Sequence, residues 1–303
     1  MKTKVKLLFS LLFLFFSCDK TDDLSIQEPD QTITSGYIKT IDFSSSVDND
    51  IFNIEDFDVE NGYLYFIYGV SIYRINLNSE ENSVEFIIED DIDWPMTLKV
   101  INNNLYYQGD FSWGLSQDLK HLDLNSMSEG VQSTYPIVGF SRSQFCKDSN
   151  KLYYLSSEDG FSPINNIYEF QSSSTHQLIA TDEFLSPKNM RMKDQYLYFS
   201  SNMEIRRFDL NNPTGESSIV YTVPEEEIEG NIIGFDIYHN VIYYTLTSSN
   251  KLFSKDLDDL NEQPHVLRVN DIGEDAGYGK IIINEGILYV KKIGSAQLEV
   301  FEI

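Results

Sequence analysis

Aromatic and acidic side chains occur together in several predicted loops of this 303-residue chain. The aromatic candidates, which include both Trp residues, are Trp94, Phe111, Trp113, Phe140 and Phe161. Aromatic rings beside carboxylates suit stacking on sugar rings with hydrogen bonds to the hydroxyls, and they also suit the anchoring of a peptide. We therefore predict that these five residues bind a ligand. The alternative is that long loops fold back and bury the rings in small clusters of their own.

A second set of polar side chains interrupts predicted strands that are otherwise apolar. Its members are Glu55, Asp56, Asp58, Lys99, Gln144, Arg191, Lys193, Asp236 and Asn284. If Glu55, Asp236 and Asn284 converge, they could hold a metal ion that activates water for hydrolysis. The interpretation that we prefer is that the three cations of the set neutralise its acids and form a structural polar plug.

Other signals for catalysis or metal binding are weak. The chain has no Gly-x-Ser-x-Gly motif and no Gly-rich phosphate loop, so we assign no catalytic residue and favour a non-enzymatic role. The acidic stretches 48–50 and 90–93 offer oxygen ligands for Ca²⁺, but neither matches an EF-hand loop. The His residues lack paired spacing, and Cys146 is expected to be buried as a small apolar residue. We predict no cofactor, with Ca²⁺ as the one candidate left open.

The charge of the chain limits its partners. Lys and Arg number 22 and Asp and Glu number 48, which gives a net charge of −26. Such a surface repels phosphates, so nucleic acid is not expected as a partner. With 41% hydrophobic residues, including 19 Tyr and 20 Phe, the chain can nevertheless bury a large core.

The N-terminus has the pattern of an export signal. Three Lys precede an apolar run over 7–16, which is too short to span a hydrocarbon layer of ~30 Å. The run ends in Ser17-Cys18 and resembles a bacterial lipobox, whose Cys becomes lipidated and N-terminal. The acidic residues of 19–23 resemble the surface-export signal of Bacteroidota lipoproteins, although an Asp after the Cys would mean inner-membrane retention in enteric bacteria. An ordinary secretory signal with an incidental Cys is the alternative.

These resemblances imply a lipid on Cys18 and a location on the outer membrane at the cell surface. Residues 1–17 would be the signal peptide. Residues 18–35 are polar and would form a lipidated flexible tether. The remaining segment, 36–303, carries a repeat.

An apolar–aromatic triplet recurs along residues 36–303. Its copies begin at Leu64, Leu105, Leu152, Leu197, Ile242 and Leu288, at intervals of 41 to 47 residues. Turn residues separate short β-branched and aromatic runs, which in the first unit are 54–59, 63–67, 71–77 and 84–88. Four-stranded units with this period predict the blades of a β-propeller.

The ends of the repeat predict how the propeller closes. The last unit stops after its third strand, and one unassigned strand, 36–41, precedes the first complete unit. Placing that strand in the last blade gives an all-β, six-bladed propeller with four-stranded blades and removes an exposed edge. A β-sandwich or an open solenoid would leave these staggered ends unexplained.

Propeller topology sorts the candidate residues by location. The loops between blades (4–1 loops) share one face with the loops between second and third strands (2–3 loops), and the five aromatic candidates all fall there. The 4–1 loops hold sixteen acids against two bases, so this face is predicted to be electronegative and to attract cations or basic partners. Acids that merely keep the loops solvated are the alternative. The second polar set falls on first strands, which line the central channel.

The repeat is similar to six-bladed propellers of the low-density-lipoprotein-receptor type and their bacterial relatives. The resemblance covers about residues 37–303 and rests on segments such as 196–199 followed by 205–210, while the receptor's Tyr-Trp-Thr-Asp signature is absent. Some six-bladed propellers are metal-dependent lactonases, so a lactonase-like hydrolase is the alternative function. We predict an envelope-anchored lipoprotein that binds a glycan or protein partner through the 4–1/2–3 face and contacts the membrane only through its lipid.

Overall fold

A computed structural model describes residues 36–303 apart from short gaps. The gaps are 45–52, 80, 82, 92–93, 110–117, 138–139, 149, 158–163, 173–174, 184–188, 213–214, 225–229, 248, 260 and 271–276. The backbone alone is described at 140–144, 157, 164–165, 172 and 182–183. The predicted signal peptide and tether, including Cys18, lie outside the described residues.

The described part of the chain forms six four-stranded antiparallel sheets, and each sheet is one blade of a six-bladed propeller. The first blade contains β2 (Ile54–Glu60), β3 (Tyr63–Tyr68), β4 (Ser71–Asn76) and β5 (Val84–Glu89). The second contains β6 (Pro95–Ile101), β7 (Asn104–Gly109), β8 (Asp118–Asp123) and β9 (Ser133–Pro136). The third contains β10 (Phe140–Asp148), β11 (Lys151–Ser157), β12 (Ile164–Ser172) and β13 (Thr175–Glu183).

The remaining blades repeat the same antiparallel order. The fourth contains β14 (Met190–Lys193), β15 (Tyr196–Ser201), β16 (Glu204–Asp209) and β17 (Ser218–Thr222). The fifth contains β18 (Ile232–Tyr238), β19 (Val241–Leu246), β20 (Lys251–Asp256) and β21 (His265–Val269). The sixth contains β22 (Tyr278–Asn284), β23 (Ile287–Lys292), β24 (Gln297–Glu302) and β1 (Tyr37–Asp42). The six-bladed, all-β fold predicted from the sequence is confirmed.

Helical structure is minimal in the described residues. It amounts to one 3₁₀ turn, Met127–Glu129. No helix within the described ranges is long and apolar enough to cross a membrane.

The N-terminal strand closes the ring as the staggered repeat predicted. β1 pairs antiparallel with β24, with Ile41 opposite Leu298 and Asp42 opposite Gln297. The Gln297 Nε2 atom donates a hydrogen bond to Asp42 Oδ2 at 2.7 Å. The pairing covers the edge that β24 would otherwise expose.

The core lies between the blades. Alternate residues of a strand pack in opposite directions: Leu64 and Phe66 pack with side chains of the sixth blade, whereas Tyr65 and Ile67 pack with the second. Each of the described hydrophobic clusters joins two neighbouring blades in this way, and one of them joins the sixth blade to the first. This two-sided burial explains the near-continuous apolar runs, because both faces of a blade are covered.

Cys146 belongs to the cluster between the third and fourth blades and is buried, as predicted. Burial raises the pKa of its thiol to about 12, although the cations Arg191 and Lys99 oppose the shift. The thiol therefore stays protonated and packs as an apolar group.

In four of the blades the pairing between the third and fourth strands contains a β-bulge at the same position. The skipped residues are Ile87, Ile179, Val220 and Leu267. A bulge bends the strand and interrupts its free hydrogen-bonding edge, which discourages pairing with a strand of another molecule.

Candidate functional site

A cavity of about 550 Å³ lies at one end of the propeller axis. It is lined by Glu55, Asp56, Met96, Thr97, Phe145, Asn189, Met190, Arg191, Ile233, Gly279, Lys280, Lys291 and Ile293. These residues come from all six blades, and most lie at the beginning of a first strand, where a 4–1 loop joins it. The cavity therefore belongs to the 4–1/2–3 face.

Strand register explains which residues line this cavity. In each blade one first-strand residue pairs with the last residue of the repeated triplet, as Phe57 pairs with Phe66. The residues one position before these pairing residues are Asp56, Thr97, Gln144, Asn189, Gly234 and Lys280. The fold thus brings one residue from each blade to the same level around the axis, and all of these residues except Gly234 are polar.

Asp56 is the most heavily bonded of these residues. Its Oδ2 atom accepts hydrogen bonds from Thr97 Oγ1 and from the backbone N of Leu98, each at 3.0 Å. Its Oδ1 atom forms an ion pair with Lys280, and Lys99 Nζ lies 4.0 Å from Oδ2. Burial alone would raise the pKa of Asp56, but the two Lys lower it to about 2. This carboxylate is charged and fully engaged within the protein.

Two Lys side chains enrich the cavity in positive charge. Burial lowers the pKa of Lys280; the ion pair with Asp56 opposes this shift, and the neighbouring cations Lys99 and Arg191 add to it. Burial also lowers the pKa of Lys291, which Glu55 and Asp56 oppose. Among the described residues, Lys291 makes no hydrogen bond or ion pair.

A second ion pair joins the fourth and fifth blades. Arg191 Nε lies 3.0 Å from Asp236 Oδ2, and that oxygen also accepts a hydrogen bond from the backbone N of Ile283 at 2.8 Å. Arg191 donates further to the carbonyl oxygens of Met190 and Ile281. The Arg191–Asp236 pair therefore satisfies backbone hydrogen-bonding groups of the neighbouring blades.

The preferred interpretation of the axial polar set, as a neutralised plug, is confirmed for two of its cations. Lys99 approaches Asp56, and Arg191 pairs with Asp236. Lys193 instead donates to the backbone oxygen of His239. The sequence interpretation omitted Lys147, Lys280 and Lys291. Lys147 and Lys280 lie on first strands. Lys280 directly precedes Ile281, which pairs with the last residue of the sixth triplet, so the repeat register could have identified it.

Of Glu55, Asp236 and Asn284, whose convergence would form a metal site, Asp236 is already engaged by the protein. Asp236 is engaged by Arg191 and by backbone amides. In the described ranges, no group of three or more His, Cys, Asp or Glu side chains could hold a metal ion. The side chain of Gln144 lies outside the described residues.

The acidic stretch 90–93 is only partly described, and its first residue is buried. Asp90 Oδ2 accepts a hydrogen bond from Tyr107 OH at 2.9 Å and forms an ion pair with Lys120. Asp90 thus stabilises the contact between the first two blades and is not a solvated loop acid. Residues 48–50, the other suggested Ca²⁺ ligands, lie outside the described residues.

Of the five predicted ligand-binding aromatics, the structure describes one side chain. Trp94 immediately precedes β6, is 60% exposed and has a φ of 31°. It lies two positions before Met96, which lines the cavity. Phe140 begins β10, but its side chain is not described. Phe111, Trp113 and Phe161 lie outside the described residues.

Comparisons with known proteins give structural neighbours only: no protein-family model matches the chain, and no curated protein matches it. Virginiamycin B lyase from Staphylococcus aureus is similar with a TM-score of 0.57 and 11% identity, over 88% of this chain and 98% of that chain. The nidogen/laminin complex gives a TM-score of 0.52 and 14% identity, over 69% of this chain and 77% of that chain. The structure of S. cerevisiae Dbp5 bound to Nup159 and Gle1 gives a TM-score of 0.52 and 12% identity, over 82% of this chain and 75% of that chain. These likenesses extend to the fold alone.

Proposed function

We propose that this protein is a binding module whose glycan or protein ligand docks on the 4–1/2–3 face. The observation that carries the proposal is the axial cavity of about 550 Å³ with an exposed Trp94 close to it in sequence. The volume is in the range of ligand sites, which lie between about 300 and 1,000 Å³. Two buried acids beside the cavity, Asp56 and Asp236, are already held in ion pairs, so this part of its wall is preorganised.

The backbone of Trp94 supports a contact role for its ring. A positive φ is uncommon for a bulky residue, and strain of this kind is concentrated at ligand clamps and switch regions. An exposed Trp also combines a large apolar surface with a hydrogen-bond donor, which suits sugar rings and peptide anchors alike.

A protein ligand has separate support. Two of the similar structures, the nidogen/laminin complex and Dbp5 bound to Nup159 and Gle1, are assemblies of different proteins. Propellers thus occur in structures of protein complexes, which supports a protein as the ligand of this chain.

The proposed module is anchored to the outer membrane at the cell surface through a lipid on Cys18. The support is the sequence: a charged start, a short apolar run and Ser17-Cys18, followed by acidic residues. A multiply acylated Cys would hold the protein firmly, because one acyl chain alone gives only marginal membrane binding.

A comparison of two exposed aromatic residues tests the binding site. Trp94→Ala removes the ring near the cavity, and the control Phe86→Ala removes a ring that is 54% exposed on the outer strand β5. Glycan and peptide arrays identify ligands, whose affinities are then measured by calorimetry. We expect Trp94→Ala to weaken binding about tenfold or more, with an unchanged melting temperature and an unaffected control. Equal affinities for all three proteins would contradict the proposed site.

A further inference from the structure

The cavity wall carries more cations than acids, although the whole chain is strongly acidic. Its charged residues are Arg191, Lys280 and Lys291 against Glu55 and Asp56. The chain as a whole has a net charge of −26. With the groups that pair with this wall included, Asp236 beside Arg191 and Lys99 beside Asp56, the count is four cations to three acids. In an acidic protein this excess of one cation marks a local preference for an anionic group.

Two of the five charged residues are occupied by the protein itself. Asp56 accepts hydrogen bonds from Thr97 and Leu98 and pairs with Lys280. Arg191 pairs with Asp236 and donates to backbone oxygens. The described bonds of both side chains serve the protein itself, so we assign recognition to the other three.

Those three offer unused donors and acceptors. An ammonium group has three N–H donors. Lys291 uses none of them on a described residue, and the described hydrogen bond of Lys280 goes to Asp56. Glu55 likewise makes no hydrogen bond or ion pair within the described part of the chain. The cavity therefore presents N–H donors together with one carboxylate acceptor.

We infer that the axial cavity binds the carboxylate of an acidic sugar, with Lys291 and Lys280 as donors and Glu55 as the acceptor for ring hydroxyls. The inference rests on the proposed function, because Trp94 would stack on a sugar of the same ligand. One excess cation matches a monoanionic carboxylate, whereas a phosphate dianion would leave uncompensated negative charge. Hydrogen bonds between an ammonium and a carboxylate are charge-assisted and strong.

The electrostatics of Lys280 support this assignment. Burial and the nearby cations Lys99 and Arg191 lower its pKa despite the ion pair with Asp56. Part of this shift is repulsion from the neighbouring cations, in addition to the effect of burial. An incoming carboxylate would relieve that repulsion.

The test uses a disaccharide of glucuronic acid and the matching disaccharide of glucose, which differ in the carboxylate. Calorimetry at low salt measures both against the wild-type propeller, Lys291→Met and Lys151→Met. Lys151 has an exposed side chain at the start of β11, on the opposite face, and serves as the matched control. Lys291→Met replaces a cation that lacks a described partner, so the fold should persist, and a melting curve verifies this.

We expect the acidic disaccharide to bind at least about tenfold more tightly than the neutral one. Lys291→Met should remove that difference, and Lys151→Met should keep it. Equal binding of the two sugars, no binding of either, or a preference that survives Lys291→Met would overturn the inference. The binding function itself would still stand if the arrays gave a ligand that depends on Trp94.

Discussion

Lys147, on the first strand of the third blade, lies with its Nζ atom 2.9 Å from Asp58 Oδ2 on the first strand of the first blade. The same ammonium lies 2.7 Å from Glu60 Oε2 and donates to the backbone oxygens of Val59 and Val100. One side chain thus joins the inner strands of three successive blades. Burial alone would raise the pKa of Asp58, but Lys147 and other neighbours lower it.

Replacing Lys147 should therefore destabilise the whole propeller. Lys147→Met leaves Asp58, which is 2% exposed, without its nearest cation. Breaking a buried ion pair on one side costs about 3–5 kcal/mol, and we expect a loss of unfolding free energy of that order in urea titrations.

The control for this variant is the same substitution at the surface of the same blade. Lys151 lies 3.0 Å from Glu169, but its side chain is 54% exposed. Lys151→Met should cost clearly less than Lys147→Met, because water solvates the Lys151 ammonium even though its partner Glu169 is buried. Similar costs for the two variants would mean that Lys147 does not join the blades.

Asp56 makes part of the stability sensitive to acid. Although burial alone would raise it, Lys280 and Lys99 lower the pKa of Asp56 from 3.8 to about 2 in the folded state. The charged Asp56 contributes its full stabilisation above pH 3.8, and this contribution is lost as the pH falls through about 2. We expect Asp56→Asn to cost at least about 2 kcal/mol near neutral pH and progressively less in acid.

Urea titrations of wild type and Asp56→Asn across the acid range check this expectation. A cost that stays constant from neutral pH down to the folded-state pKa would show that the Asp56 ion pairs contribute no stability.

The role of β1 in closing the ring can be tested within that strand. Ile41 is fully buried against the first blade, whereas Ile38 is 47% exposed. Ile41→Ala should lower the unfolding free energy by about 2–5 kcal/mol, the cost of a cavity in a core. Ile38→Ala should change it by less than about 0.5 kcal/mol. Thermal or urea unfolding measures both variants. Equal unfolding free energies for Ile41→Ala and Ile38→Ala would show that the N-terminal strand does not stabilise the ring.

The proposed lipid anchor predicts that membrane attachment depends on one of the two Cys. Cys18→Ser should move the exported protein from the detergent phase to the aqueous phase on phase separation. Cys146→Ala is the control, because its thiol is buried between blades and stays protonated. Retention of the Cys18→Ser protein in membranes would refute the lipid anchor.

The fold could be predicted from the sequence because local patterns and global closure agree. The first-blade strands end within one residue of the predicted limits, since turn residues such as Asn61-Gly62 mark where each run must stop. The predicted closing strand 36–41 corresponds to Tyr37–Asp42. Repetition makes such a prediction reliable, because one misplaced turn would disrupt a period that six units share.

The candidate site was less predictable, because it depends on which side chains of neighbouring blades form pairs. Lys280 and Asp56 are separated by 224 positions and lie on the sixth and first blades. The repeat places both at the same level, but it does not show that they form an ion pair. Asp90 shows the opposite limitation. Its acidic neighbours in sequence are compatible with a solvated loop. In the structure Asp90 is bonded to Tyr107 and Lys120 and lies buried between two blades.

The pairing of β1 with β24 also sets the order of folding. The hydrogen bond from Gln297 to Asp42 joins residues 255 positions apart, whereas each other blade is assembled from neighbouring hairpins. Blades with local contacts can form as the chain is synthesised, whereas β1, which is made first, has no partner strand until β24 near the end of the chain is complete. During that interval β1 is an unpaired strand, so slow closure would prolong the time in which it can pair with another copy of the chain.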